Sequence, residues 1–87
     1  MTFNEKLEIM AEIEPEAMIF RNPDFEDAVI GYTSEGLAVY DYEKMVRDLM
    51  DKDHISEEEA LDFIEFNTMR TIPYMGEKAP IVVHMFD

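Results

Sequence analysis

The sequence predicts a single α+β domain over residues 1–87, with a small antiparallel or mixed sheet of about four strands and three helices in the order αβββααβ. The helices are expected to pack on one face of the sheet. Three observations carry this expectation. Apolar residues recur at helical spacing in three segments, each opened by a capping residue. Two β-prone runs flank a short loop that ends in Gly36. Helical and strand-like segments are segregated along the chain, whereas a parallel sheet would need them to alternate.

Residues 3–14 read as the first helix, with Phe3, Leu7, Met10 and Ala11 on one face and Thr2 with Glu5 as a capping box. Pro15 stops it. Glu5, Glu8 and Glu12 line the opposite face with only Lys6 nearby. The apolar run at 17–20 is expected to be a short strand, closed by the turn residues Asn22, Pro23 and Asp24. Residues 28–32 and 37–40 then form a hairpin around 33–36, where Gly36 suits a left-handed backbone.

Asp41 caps a second helix over 42–52, whose apolar face is Tyr42, Met45, Val46, Leu49 and Met50. Its outer rows alternate in sign, as Glu43, Arg47, Asp51 and Lys44, Asp48, Lys52. Ser56 to Glu59 is a capping box that opens a third helix to about residue 70, with Ile55 stapled onto Ala60. Ala60, Leu61, Ile64 and Thr68 make its inner face, and Phe66 and Met69 fall towards the acidic side. Thr71, Ile72 and Pro73 end it. The apolar stretch 81–86 then reads as a strand covered on both faces.

Twenty-one acidic residues against seven basic ones give a formal net charge of −14, and an apolar fraction of 47% keeps the chain out of the disordered class. There is no cysteine, so disulfide and thiolate chemistry are excluded. The first residues lack the basic and apolar regions of a signal peptide, and the apolar runs are too short for a membrane span. A soluble, cytoplasmic protein is expected.

No cofactor or metal is expected. Every register of a calcium loop between the second and third helices fails: starting at Asp48 places Met50 and Lys52 where oxygen ligands are needed, and starting at Asp51 misplaces Ile55. His54 and His84 lack helical partners at metal-binding spacing. His54 reads as a helix-end residue and His84 as a core or edge residue. The three glycines are too scattered for a phosphate loop, and Ser34 and Ser56 have turn and cap roles. No catalytic residue is assigned, and the chain reads as a non-enzyme. Dispersed cations disfavour direct binding to nucleic acid, and the net charge repels anionic membranes.

Within residues 39–82, the stretches VYDYEKMV, FIEFNTMRTIPY and GEKAP resemble a group of short acidic proteins of Gram-positive bacteria and their mobile elements. The resemblance carries no activity and no functional residues; it favours small acidic inhibitors of nucleases or defence complexes. The expected interaction surface is Glu5, Glu8, Glu12, Asp62, Glu65, Phe66, Met69 and Tyr74, facing a basic protein surface. Carboxylates at i, i+3 and i+4 recur every ~4.5–6 Å along a helix, close enough to duplex phosphate spacing for a basic groove to accept. A merely solvated acidic face is the plainer alternative. Homodimer formation through Phe66, Met69 and Tyr74 is the competing role, with the acid then serving solubility.

Overall fold

The computed structural model describes residues 1–86. Its helices begin where the capping chemistry places them. In α1 (Phe3–Ile13) the Glu5 N–H donates to the Thr2 hydroxyl at 3.2 Å, and the Thr2 N–H donates to the Glu5 carboxylate at 2.7 Å. In α2 (Tyr42–Asp53) the Asp41 carboxylate accepts from the N–H groups of Glu43 and Lys44. In α3 (Glu57–Phe63) Ser56 and Glu59 exchange the same pair of bonds as Thr2 and Glu5. Each box satisfies amide donors that the first helical turn leaves without intrahelical partners. α2 closes on His54, which takes a left-handed conformation (φ 54°) more often given to glycine.

The sheet is mixed and has three strands in the order β1-β2-β3. β1 (Val29–Tyr32) pairs antiparallel with β2 (Ala38–Asp41), with a bulge between Val29 and Gly31. β3 (Ile81–Val83) lies parallel to β2 on its other side. The fold is therefore α+β as expected, with one strand fewer. Residues 17–20 are not a strand, and the reason lies in where their amides go. The Met18 N–H donates to the Lys78 carbonyl at 3.0 Å, and the Phe20 N–H donates to the Tyr40 hydroxyl at 3.1 Å. Both sides of β2 are already occupied, so this segment packs through Phe20 and takes its hydrogen bonds from a loop and a side chain.

The C-terminal strand also differs from expectation. It is three residues long, sits at the sheet edge, and leaves Ile81 37% exposed, so it is not covered on both faces. Past Phe63 the third helix changes character. Ile64–Thr68 forms a π-type turn and Met69–Tyr74 a 3₁₀ segment that contains Pro73. Thr71, Ile72 and Pro73 thus lie within a helical stretch and do not end it.

The core joins Met10 of α1 to Phe20, Phe25, Ala28, Val29, Ala38 and Tyr40, then to Met45, Val46 and Leu49 of α2, Ala60 of α3, and Ile64. Ala38 and Tyr40 share one face of β2 by the period of two and are both wholly enclosed. Phe25 is buried despite φ 49°, an unusual backbone for an aromatic residue. Its ring meets Phe20 edge-on at 6.0 Å. Among the described residues no helix is long and apolar enough to cross a membrane.

Gly36 closes the hairpin loop at φ 87° and lies under the end of α1. A Cβ there would fall 2.9 Å from the Glu14 Cβ and 3.0 Å from the Glu14 backbone nitrogen. Gly36→Ala is therefore expected to cost roughly 2–4 kcal/mol, combining left-handed strain with overpacking. Urea unfolding measures this, and a loss below about 0.5 kcal/mol would show that the loop does not abut the helix.

Candidate interaction surface

The acidic residues divide by what holds them. On α2 the charge is largely neutralised at home. Arg47 lies 3.7 Å from Glu43, and the Lys52 ammonium lies 3.4 Å from Asp48 and 3.5 Å from Asp24. Asp48 is nearly enclosed, and burial raises its pKa despite the pull of Lys52 in the other direction. At the end of α1, Glu14 accepts from the Lys78 ammonium at 2.7 Å, and this bond holds its carboxyl below the ordinary value.

The α1 stripe is different. Lys6 is the cation nearest to Glu5, Glu8 and Glu12 in sequence, and its ammonium donates to the Val29 carbonyl at 2.8 Å. Lys6 sits two residues from Glu8 and six from Glu12, positions that do not face each other on a helix, and it lines the β1 side of α1 with Ile9 and Met10. Glu5 stays exposed; the Thr2 N–H, then the Thr2 hydroxyl, lower its pKa within the capping box. Glu8 and Glu12 are exposed and belong to none of the ion pairs among the described residues. A chain reading shows Lys6 beside the stripe and cannot show which way it points.

On α3, Glu57, Glu58 and Asp62 are exposed and have no basic residue in the last turn to offset them. Glu65 is exposed as well, but its carboxylate is engaged, accepting from the Tyr42 hydroxyl at 2.5 Å. The π-type turn explains the rest. The Met69 N–H bonds to the Ile64 carbonyl, an i→i+5 link that brings Met69 back over Ile64. Met69 consequently packs against the core, whereas a regular helix would carry it to the acidic side. Phe66 remains 65% exposed and Tyr74 90% exposed. Of the expected α3 surface, Asp62, Phe66 and Tyr74 are displayed, Met69 is partly buried, and Glu65 is committed to Tyr42.

The two acidic stripes do not merge through packing. α1 runs beside β1, where Lys6, Ile9 and Met10 line a cavity of about 280 Å³ together with Val29 to Tyr32. α3 packs on α2 at the other edge of the sheet, where Leu61 and Glu57 share a cleft with His84 and Met85 beyond β3.

That second cleft contains a group the chain reading missed. The Tyr42 ring lies against His84 with centroids 4.6 Å apart, while its hydroxyl reaches Glu65. Burial, then the Glu65 hydrogen bond and charge, push the Tyr42 hydroxyl up to about 12. A signal for the pairing existed: Tyr42 opens the apolar face of a helix, and a buried tyrosine hydroxyl needs a partner. His84 is exposed just past β3, so it sits at the sheet edge and not in the core; among the described residues no group of three or more His, Asp and Glu is placed to hold a metal ion.

No protein-family model, curated protein or solved structure matches this chain.

Tyr40 and Tyr42 both carry hydroxyls raised from 10 to about 12, in each case first by burial. The folded state therefore holds these protons more tightly than the unfolded chain does. This contribution is fully present below pH 10 and is lost as the pH rises from 10 towards 12. Tyr42→Phe should make the alkaline loss of stability shallower, and Glu65→Gln should bring the Tyr42 ionisation to lower pH. Ultraviolet titration alongside unfolding curves reads both, and an unchanged alkaline slope in Tyr42→Phe would contradict the assignment.

Proposed function

We propose that this protein is a non-enzymatic interaction module whose exposed carboxylates bind a basic partner. The observation that carries the reading is the position of Lys6. Lys6 is the one cation of α1 and lies on its β1 side with its ammonium on the Val29 carbonyl, and Glu8 and Glu12 face solvent with no cation of their own helix on their face. A stripe of that sign, repeated along a helix, attracts basic surfaces and steers their approach. Exposed Glu57, Glu58 and Asp62 add a second source of the same field.

The partner class we favour is a nucleic-acid-binding protein, whose basic groove would meet carboxylates where it normally meets phosphates. The resemblance of residues 39–82 to proteins of mobile elements favours nucleases and host-defence complexes within that class. Cytoplasmic action and the absence of membrane or direct nucleic-acid binding belong to the same proposal. The displayed rings of Phe66 and Tyr74 favour a second reading, self-association as a structural accessory. Met69 contributes little to that face, since it packs on the core.

The two readings separate on charge-neutral variants. Affinity capture from a native lysate at low salt should recover a basic protein, and Glu8→Gln with Glu12→Gln should lower that recovery roughly tenfold. Asp51→Asn with Asp53→Asn, which removes equal charge from the exposed end of α2, should leave it within about threefold. Equal losses from the two pairs would sink the localised stripe. Sedimentation of Phe66→Asp beside the parent tests the second reading, which requires a dimer that becomes a monomer.

A further inference from the structure

We infer that the cleft between α2, α3 and the segment after β3 is the docking site for a peptide segment of the partner that combines an apolar anchor with a flanking lysine or arginine. The inference rests on the proposed acidic interaction role and adds, beside the α1 stripe, a second contact site for the same partner with its own chemistry.

The cleft is open to solvent and has a volume of about 380 Å³. The Tyr42 ring, tilted 32° against His84, lies on one side of it, and Val46 and Leu61 supply apolar wall. Leu61 is 36% exposed and Met85 59% exposed, so apolar surface stands open to solvent there. Glu43 and Glu57 stand among the lining residues; Arg47 lies 3.7 Å from Glu43 in an exposed pair worth little, and Glu57 belongs to none of the ion pairs among the described residues.

Charge complementarity selects the occupant. A purely apolar segment would seat beside carboxylates that it desolvates without compensating, which is costly. A purely basic segment would leave Leu61 and Met85 uncovered. A lysine or arginine next to an apolar side chain satisfies both, because its methylene stem covers apolar surface while its head reaches the carboxylates. The Tyr42–Glu65 bond and the His84 contact hold one side of the cleft in place before binding, which limits the ordering cost.

The test uses the full chain, isotope-labelled for amide NMR, and three synthetic peptides of equal length: alternating leucine and lysine, lysine alone, and alternating leucine and serine. The leucine–lysine peptide should shift the amides of Leu61, His84 and Met85 saturably. Its affinity should fall roughly tenfold in Leu61→Ser and in Glu57→Gln, and by less than about threefold in Asp51→Asn with Asp53→Asn. Circular dichroism confirms that the variants fold. If lysine alone binds as tightly and shifts the α1 amides instead, the cleft is overturned while the acidic-surface reading stands. If leucine–serine binds as tightly as leucine–lysine, charge selection at the cleft is overturned. No shift from either basic peptide would remove both.

Discussion

Tyr40 is the residue on which the rest of the structure depends. It occupies the middle of β2, opposite Val29 on one side and Val82 on the other, and no part of it reaches solvent. Its hydroxyl accepts the buried Phe20 amide, and its ring lies 4.7 Å from that of Phe20. An unsatisfied buried amide would cost about 1–3 kcal/mol, so this one phenol fixes how the segment before the hairpin crosses the core. The next two residues extend its reach. Asp41 ends the strand opposite Val83 and caps α2, and Tyr42 opens that helix and reaches Glu65 and His84. Three consecutive side chains therefore connect the core, the helix start and the cleft with no intervening loop.

Much of this fold was legible in the chain because its signals are local. Thr2, Asp41 and Ser56 cap their helices through residues two or three positions away, and Gly36 supplies the turn its backbone requires. What was not legible depends on partners distant in sequence. The run at 17–20 has strand-like composition, yet its amides are taken by Tyr40 and by the Lys78 carbonyl. The stretch from 81 keeps its apolar character while sitting at an edge, since β1 holds the other side of β2.

The candidate surface shows the same division. Helical periodicity assigns Phe66 and Met69 to one side, and the i→i+5 link at Ile64 separates them into an exposed ring and a core contact. No residue pattern announces that extra residue in the turn. Glu65 looked like part of a free acidic row because the chain does not reveal that Tyr42 lies across from it. Glu8 and Glu12 are exposed, and Lys6, the one cation of α1, lies on the other side of the helix with its ammonium on the Val29 carbonyl. The net charge of −14 is thus unevenly spent: α2 neutralises much of its own acid, while α1 and α3 display theirs.

The central claim is that this displayed acid is a recognition surface. The most direct measurement is the affinity for the captured basic partner as a function of salt, in the parent and in Glu8→Gln with Glu12→Gln. The account predicts a steep fall, roughly tenfold or more between about 50 and 300 mM, with a visibly shallower slope in the variant. An affinity that does not change with salt, or parallel slopes for the two proteins, would contradict it.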